Sequence, residues 1–187
     1  MKARLILSIL FLGGIIAANG QTPEPASAIL DKAFSQAAKE NKNVLVIFHA
    51  SWCIWCKRFE ASVNDPSCKD YFDRNYVIRE LTVLENGDNK KLENPGAIDI
   101  YNSNAGSRSG IPYFIIYDSK GRILADSKIK PAGAGPDARP MNMGCPSQDD
   151  EVAAFTEILK KTSKITDREV AAVSERFKKN KPVQNHQ

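Results

Sequence analysis

The sequence predicts an α/β fold in which a central mixed β-sheet is flanked by helices. The segment from Val44 to Phe48 is short, apolar and rich in β-branched residues, which is typical of a central strand covered on both faces. Helix-like and strand-like segments follow one another in the order helix, strand, helix, strand, helix, strand, strand, helix. This order favours a mixed sheet with helices on both sides.

The start of the chain has the features of a secretory signal peptide. Two basic residues precede a mainly apolar run over residues 5–18, which is too short for a comfortable transmembrane helix. Ala18 and Gly20 place small residues at the positions that a signal peptidase inspects, so we expect cleavage before Gln21. Residues 1–20 would then be removed, and the chain would be periplasmic or secreted, without a stable membrane anchor. An uncleaved anchor is the alternative.

The length and the net charge of the sequence limit its domain number and its classes of partner. The sequence has 187 residues and a formal net charge of +4. This length suits one domain with a proper core. The charge is too small to argue for binding to nucleic acid or to an anionic membrane. We expect a linker over residues 21–25, one domain over residues 26–179 and a disordered tail over residues 180–187.

The first half of the domain begins with an amphipathic helix. Residues Ala26 to Glu40 place their apolar side chains on one helical face, and Asn41 and Asn43 end the helix. The strand at Val44–Phe48 follows. The later elements are expected as a helix from about Cys53 to Val63, a brief helix from Pro66 (capped by Asp65) to about Arg74, a strand from Tyr76 to Leu84, a polar loop from Glu85 to Asn94, and a helix from Pro95 to Asn102.

A hairpin, an insertion and two helices complete the domain. The segments 112–117 and 122–127 flank a turn sequence and predict a β-hairpin. Residues 128–148 form an insertion rich in proline, glycine and alanine, with no periodic pattern. A helix to about Lys161 follows this insertion. A capping-box pattern at Thr166 begins the last helix.

Cys53 and Cys56 form a C-x-x-C pair between the first predicted strand and the following helix. A pair at this spacing can close a small disulfide or hold a metal. A helix N-terminus at Cys53 favours the thiolate, because free backbone N–H groups and the helix dipole stabilise negative charge there. Cys53 would then be the nucleophile, and Cys56, about one helical turn on, the resolving thiol. An inert buried disulfide is the alternative.

A metal site is not expected. The chain has four cysteines and two histidines. Cys68 and Cys145 lie far from any C-x-x-C spacing, and His186 lies in the predicted tail. These spacings do not match those of structural zinc sites.

The sequence resembles the thioredoxin family over roughly residues 26–127, with a C-terminal helix in addition. A second apolar strand, opened by a Gly-Ile-Pro sequence, strengthens the similarity that the C-x-x-C pair suggests. The matching residues are Val44 to Phe48, Ala50, Trp52, Cys53, Cys56, Lys57, Gly110, Ile111 and Pro112.

The resemblance implies a site built around Pro112. In the family, the peptide bond before this proline is cis, which is uncommon. Pro112 would fill space beside the disulfide and keep metals out. The backbone of Ile111 would offer its N–H and C=O groups to an extended substrate segment. With Trp52, Ile54 and Trp55, these two residues are the expected substrate-binding residues.

Three positions depart from the family pattern. Ile54 and Trp55 replace the usual Gly-Pro pair between the cysteines, and because they are uncharged they leave the direction of electron flow open. Ile47 replaces a buried aspartate that helps to move the proton of the resolving thiol. His49 replaces a tryptophan. It is a candidate for stabilising the Cys53 thiolate or shuttling a proton, and a hydrogen-bonded structural role is the alternative.

Cys68 and Cys145 have several open assignments. In an exported protein, two extra cysteines suggest a disulfide, and four cysteines allow three pairings. The fold argues against an easy Cys68–Cys145 bond, because Cys68 lies beyond the far end of the active-site helix and Cys145 precedes a helix that starts near the active-site end. A further hypothesis is that the insertion covers the active-site end and makes Cys145 a third redox thiol within reach of Cys53.

The sequence therefore favours an exported thiol–disulfide oxidoreductase. It would act on thiols and disulfides of other exported proteins and be recharged by a membrane or secreted redox partner. No cofactor is expected besides the Cys53–Cys56 disulfide. The alternative is a binding module that holds a partner protein or copper beside Cys53, Cys56 and Pro112 without turnover.

Overall fold

The computed structural model describes residues 22–105, 109–130, 133–135 and 137–182. The predicted signal peptide, the expected cleavage site and residues 183–187 of the predicted tail lie outside these described residues. In the described part of the chain, no helix is both long and apolar enough to cross a membrane.

A four-stranded mixed sheet forms the centre of the fold, which confirms the predicted fold class. The strands are β1 (Asn43–His49), β2 (Tyr76–Thr82), β3 (Tyr113–Tyr117) and β4 (Ile123–Asp126). Their order in the sheet is β2-β1-β3-β4. Strand β1 pairs parallel with β2 and antiparallel with β3, and β3 and β4 form the predicted hairpin.

Six α-helices cover the two faces of this sheet in the described residues. They are α1 (Ala26–Glu40), α2 (Ile54–Val63), α3 (Lys69–Asn75), α4 (Ala97–Ala105), α5 (Asp149–Thr162) and α6 (Asp167–Lys178). Helices α1 and α4 pack on one face, and α2, α3, α5 and α6 pack on the other.

The alternation of side chains along β1 divides the core into two layers. Leu45 and Ile47 contribute to the layer under α2, whereas Val44, Val46 and Phe48 contribute to the layer under α1. Successive side chains of a strand point to opposite faces of a sheet. A strand covered on both faces must therefore be apolar at every buried position, as Val44 to Phe48 are.

Capping hydrogen bonds mark the end of α1 and the start of α6. Asn41 adopts a left-handed conformation and donates its backbone N–H to Ala37 O, which ends α1. The predicted capping box at Thr166 is present, because Thr166 Oγ1 accepts from the N–H of Glu169 and Glu169 Oε2 accepts from the N–H of Thr166.

Several boundaries differ from those expected, among them the end of α4 at Ala105 and not at Asn102, and for two others the structure shows the reason. Helix α3 begins at Lys69 and not at Pro66, because Asp65 Oδ1 accepts hydrogen bonds from the N–H and the hydroxyl of Ser67 and closes a turn there. Strand β2 ends at Thr82 and not at Leu84, since Leu84 has a left-handed backbone conformation with φ of 57°, which lies outside the β region.

The described residues of the insertion include paired strands, and the first residue of the predicted tail is packed against the domain. Within residues 128–148, β5 (Lys128–Ile129) and β6 (Met141–Asn142) pair antiparallel as a separate two-stranded ribbon. Asn180, the first residue of the predicted tail, is buried, and its side-chain amide donates to Ser62 Oγ. This part of the predicted tail is therefore packed against the domain.

Substitution of Phe59 by alanine should destabilise the domain strongly. The Phe59 ring is fully buried on α2 and lies 5.5–5.8 Å, centroid to centroid, from the rings of Phe114, Phe155 and Phe177. Loss of a buried phenylalanine side chain leaves a cavity, and we expect a cost of about 3–5 kcal/mol in the free energy of unfolding, measured by urea denaturation. Leu92→Ala, at an exposed position, is the matched control and should cost less than about 0.5 kcal/mol. Equal losses in the two variants would contradict the packing described.

Candidate active site

The two cysteines of the C-x-x-C pair lie at the junction of β1 and α2. Cys53 occupies the N-cap position of α2, and a disulfide joins it to Cys56 in the first turn. The disulfide is almost completely buried, since Cys53 and Cys56 are 3% and 4% exposed. Their position follows from local sequence, because β1 ends at His49 and a short turn leads directly into the helix.

The N-terminus of α2 provides a positive electrostatic environment for the Cys53 sulfur. Cys53 Sγ accepts a hydrogen bond from the backbone N–H of Cys56 at 3.0 Å. On reduction, the same N–H and the helix dipole would stabilise a thiolate on Cys53 relative to one further along the helix. The geometry therefore suits a nucleophilic thiolate at Cys53.

The loop before β3 lies against the disulfide. The Ile111–Pro112 peptide bond is cis. The Ile111 carbonyl oxygen lies 3.6 Å from Cys53 Sγ. Ile111 also packs against the small cluster formed by Ala50, Cys53 and Cys56. The structure thus brings together the C-x-x-C pair and the Ile-Pro sequence, which are more than fifty residues apart in the chain.

Three apolar side chains surround the disulfide. Trp52 and Ile54 are 53% and 57% exposed, respectively. Trp52 is nevertheless oriented, because its indole N–H donates to Leu84 O at 2.8 Å. Trp55 is half-buried, and the guanidinium carbon of Arg58 lies 4.4 Å from the centroid of its ring. These residues form an exposed apolar rim around a covered disulfide.

A buried glutamate holds the turn before Cys53, and sequence reasoning missed it. Glu85 is 3% exposed, and its two carboxylate oxygens accept from the backbone N–H of Ser51 at 2.6 Å and from the Ser51 hydroxyl at 2.8 Å. In the sequence, Glu85 begins a polar stretch that favours a solvent-exposed loop. No local signal distinguishes it from the other acidic residues there.

The insertion forms one wall of a groove beside Pro112. A cavity of about 260 Å³ lies between the loop over residues 110–112, which precedes β3, and the end of the insertion. Its lining includes Trp55, Ile111, Pro112, Asn142, Met143 and Cys145. Asn142 links the two walls, since its side-chain amide donates to Gly110 O at 2.6 Å and to Pro112 O at 3.0 Å. Asn142 is a second residue that sequence reasoning missed.

His49 lies at the end of β1 in a polar cluster. Its Nε2 atom is 3.1 Å from Thr82 Oγ1 and 3.8 Å from Glu80 Oε2. Burial raises the pKa of the Glu80 carboxyl above its ordinary value; the neighbouring His49 opposes this rise and Glu60 adds to it. Ile47, by contrast, is buried in the apolar layer under α2 and offers no proton-accepting group.

Cys68 and Cys145 are free, buried thiols in this structure. Cys68 Sγ lies 3.7 Å from Ala172 O, and Cys145 Sγ accepts from the side-chain amide of Asn180 at 3.4 Å. The Cys68–Cys145 disulfide is therefore not formed in this structure.

The environment of Cys145 disfavours a role as a nucleophile. Burial raises the pKa of the Cys145 thiol to about 12 and raises that of Cys68 as well. A thiol with so high a pKa is almost entirely protonated at neutral pH, and the thiolate is the reactive form. The insertion does bring Cys145 to the groove beside Pro112, and a third redox thiol at this position stays a prediction.

The described residues contain no group of three or more His, Cys, Asp or Glu side chains arranged to hold a metal ion. The expectation that the chain needs no cofactor stays a prediction.

Comparison with protein families identifies the class of this chain. The sequence profile of the thioredoxin-like family matches residues 26–119, which is half of the chain. The chain belongs to the thioredoxin-like family, and the resemblance seen in the sequence is confirmed. Family membership and the Cys53–Cys56 disulfide together support thiol–disulfide oxidoreductase activity.

Solved structures include distant matches. A disulphide isomerase from Xylella fastidiosa Temecula1 is 18% identical with a TM-score of 0.45, and the match covers 63% of this chain and 80% of that one. The oxidised DsbD C-terminal domain of Neisseria meningitidis is 19% identical, with a TM-score of 0.42 and coverage of 72% and 97%. The DsbH oxidoreductase is 16% identical, with a TM-score of 0.38 and coverage of 84% and 94%.

These likenesses are too distant to support a statement about function, so the class assignment rests on the family profile and the disulfide. No protein with a curated functional description matches the sequence.

The two free thiols should resist alkylation in the native protein. Both are buried and have raised pKa values, so their thiolates are scarce and covered. With the Cys53–Cys56 disulfide intact, we expect iodoacetamide at neutral pH to leave Cys68 and Cys145 unmodified and to modify both in urea, as read by peptide mass spectrometry. A cysteine introduced at the exposed position of Ser35 is the control and should be modified in native buffer. Rapid native labelling of Cys145 would show that this thiol is reachable after all.

Proposed function

We propose that this chain is an exported thiol–disulfide oxidoreductase that acts on the disulfides and dithiols of other exported proteins. The observation that carries the proposal is the Cys53–Cys56 disulfide at the N-terminus of α2, in contact with the Ile111–Pro112 loop of a thioredoxin-like domain. A membrane or secreted redox partner would return the disulfide to its starting state.

The reduced site would act in two exchange steps. The Cys53 thiolate attacks one sulfur of a partner disulfide, so that a Cys53–partner disulfide forms and the other partner sulfur leaves as a thiolate. Cys56 then loses its proton and attacks Cys53 Sγ, which closes the Cys53–Cys56 bond and releases the second partner sulfur. The two electrons pass from the Cys53–Cys56 dithiol to the partner. Oxidation of a partner dithiol is the same sequence in reverse.

The surface around the disulfide suits an extended polypeptide. In the described part of the chain, the backbone N–H of Ile111 has no hydrogen-bond acceptor, and no N–H group donates to its carbonyl, which lies 3.6 Å from Cys53 Sγ. Both groups are thus free to pair with a substrate strand. Trp52, Ile54 and Trp55 would provide apolar contacts at either side, and Pro112 would fill the space beside the cysteines.

Replacing each cysteine separately tests the two roles. Cys53→Ser should reduce turnover, measured as dithiothreitol-driven reduction of insulin disulfides, to the rate without protein, because the attacking sulfur is gone. Cys56→Ser should instead accumulate a Cys53–substrate mixed disulfide, visible as a dithiothreitol-sensitive adduct, because the resolving thiol is gone.

The control for these variants is the double substitution Cys68→Ala and Cys145→Ala, which should keep turnover because both thiols are buried and neither belongs to the Cys53–Cys56 disulfide. The binding-module alternative, favoured by the apolar Ile47 in place of an acid, predicts a different result. If the wild-type chain shows no turnover, while Cys53→Ser still binds a partner or copper, the alternative is correct and the oxidoreductase proposal fails.

Export is supported by the basic, apolar and small-residue pattern over residues 1–20. When the full sequence is produced in a bacterium, the mature protein in the exported fraction should begin at Gln21, as read by N-terminal mass spectrometry. Ala18→Arg places a large charged residue at a position the peptidase inspects and should prevent this cleavage. An exported wild-type protein that still begins at Met1 would contradict removal of the segment and favour the anchor.

A further inference from the structure

Glu80 places a carboxyl group beside Ile47, the position at which the thioredoxin family carries a buried aspartate. Ile47 of β1 is apolar, and in the parallel pairing of β1 with β2 its register partner is Glu80. Register partners on neighbouring strands point to the same face of the sheet and lie about 4.8 Å apart across it. Glu80 therefore faces the layer under α2, next to Ile47.

Groups from three elements surround the Glu80 carboxyl. His49 at the end of β1 lies 3.8 Å from Glu80 Oε2. Glu60 of α2 is close enough to raise the pKa of Glu80 through charge repulsion. On β2 itself, Thr82 contacts His49 at 3.1 Å. Arg79 belongs to the opposite face of the sheet, where it donates to Gln36 of α1.

This position is on the Cys56 side of α2. Cys56 and Glu60 are four residues apart in the helix, so their side chains occupy one helical face. Glu60 is the member of that face that interacts with Glu80. Cys56 is the buried member, one turn closer to the end of β1, where His49 lies. Cys56 packs in one small cluster with Ala50, the residue that follows His49, so the contact between His49 and Glu80 lies at the end of β1 that meets Cys56.

We propose that Glu80, with His49 as its neighbour, receives the proton that Cys56 must lose when it attacks the mixed disulfide. This role rests on the oxidoreductase function proposed above and names the group that serves its second step. In that step, the Cys56 thiol gives its proton to the Glu80 carboxylate and becomes a thiolate. The thiolate forms the bond to Cys53 Sγ, and the departing partner thiolate takes up a proton from Glu80 or from the solvent. Protons and electrons therefore balance over the step.

The half-buried site of Glu80 suits this task. Burial raises the pKa of the carboxyl, which brings its proton affinity closer to that of a thiol than an exposed glutamate would allow. The carboxylate is the accepting form. Glu80 can therefore accept the proton of Cys56 at pH values above its raised pKa, and it loses this ability as the pH falls through that pKa.

The two exchange steps can be timed separately with dithiobisnitrobenzoate, a disulfide that releases a coloured thiolate. The reduced full chain should release one thiolate when Cys53 attacks, at a rate proportional to reagent concentration, and a second when Cys56 resolves the adduct, at a rate independent of it. Stopped-flow absorbance resolves the two phases. Cys68 and Cys145 are buried and contribute little.

Glu80→Gln preserves the shape of the side chain and removes the acceptor. We expect an unchanged first phase and a second phase slowed at least about tenfold near pH 7, with the difference closing at alkaline pH, where the thiol ionises into water without help. Glu80→Asp keeps a carboxyl group and should restore most of the second phase. Glu175→Gln, which removes an exposed carboxylate from α6, is the control and should stay within about twofold of the wild type.

The outcomes separate this inference from the function on which it rests. A second phase that is unchanged in Glu80→Gln at every pH overturns the role of Glu80, while the oxidoreductase function stands. Equal slowing in Glu175→Gln also overturns it, because the effect would then be one of general charge. If the wild-type chain releases no thiolate at all, the oxidoreductase function fails and the role of Glu80 fails with it.

The wild-type chain provides a check that does not depend on the folding of a variant. With Glu80 as acceptor, the second-phase rate should be nearly constant between the pKa of Glu80 and that of Cys56. A rate that falls about tenfold for every pH unit throughout this range would mean that the proton goes to water, and it would overturn the proposal.

Discussion

The burial of β1 between two apolar layers is the constraint on which the rest of the structure depends. Five consecutive residues, Val44 to Phe48, are buried, and the strand is hydrogen-bonded to β2 on one side and to β3 on the other. A strand held in this way cannot shift register without moving its side chains into the wrong layer. Its carboxyl end is therefore placed accurately, and the chain leaves that end directly into the turn that carries Cys53.

Polar contacts from other parts of the chain then complete the site around this fixed point. Glu85 holds the turn through Ser51, Leu84 orients Trp52, and Asn142 of the insertion ties down the Gly110 and Pro112 carbonyls. Together these contacts hold the turn before Cys53, the Trp52 ring and the loop before β3 around the disulfide. The groove beside the disulfide consequently has one wall from that loop and one from the insertion.

Local patterns made much of the fold predictable. The β1 strand, the hairpin of β3 and β4, the end of α1 at Asn41 and the capping box at Thr166 depend on residues a few positions apart. The start of α3 was misplaced because the side chain of Asp65 closes a turn where a helix was expected. The paired strands within the insertion have only two residues each, which is too short to show a period.

The sequence by itself determined the class of fold, the placement of Cys53 at a helix N-terminus and the importance of the Ile111–Pro112 loop, because these follow from patterns and motifs that are contiguous in the chain. Only the tertiary structure decided which distant residues serve the site. The register of β1 against β2 places Glu80 beside Ile47, and the fold of the insertion brings Asn142 to the Gly110 and Pro112 carbonyls. These relations join residues that are tens of positions apart, and no local pattern encodes such pairings, since they arise only when the strands and helices pack.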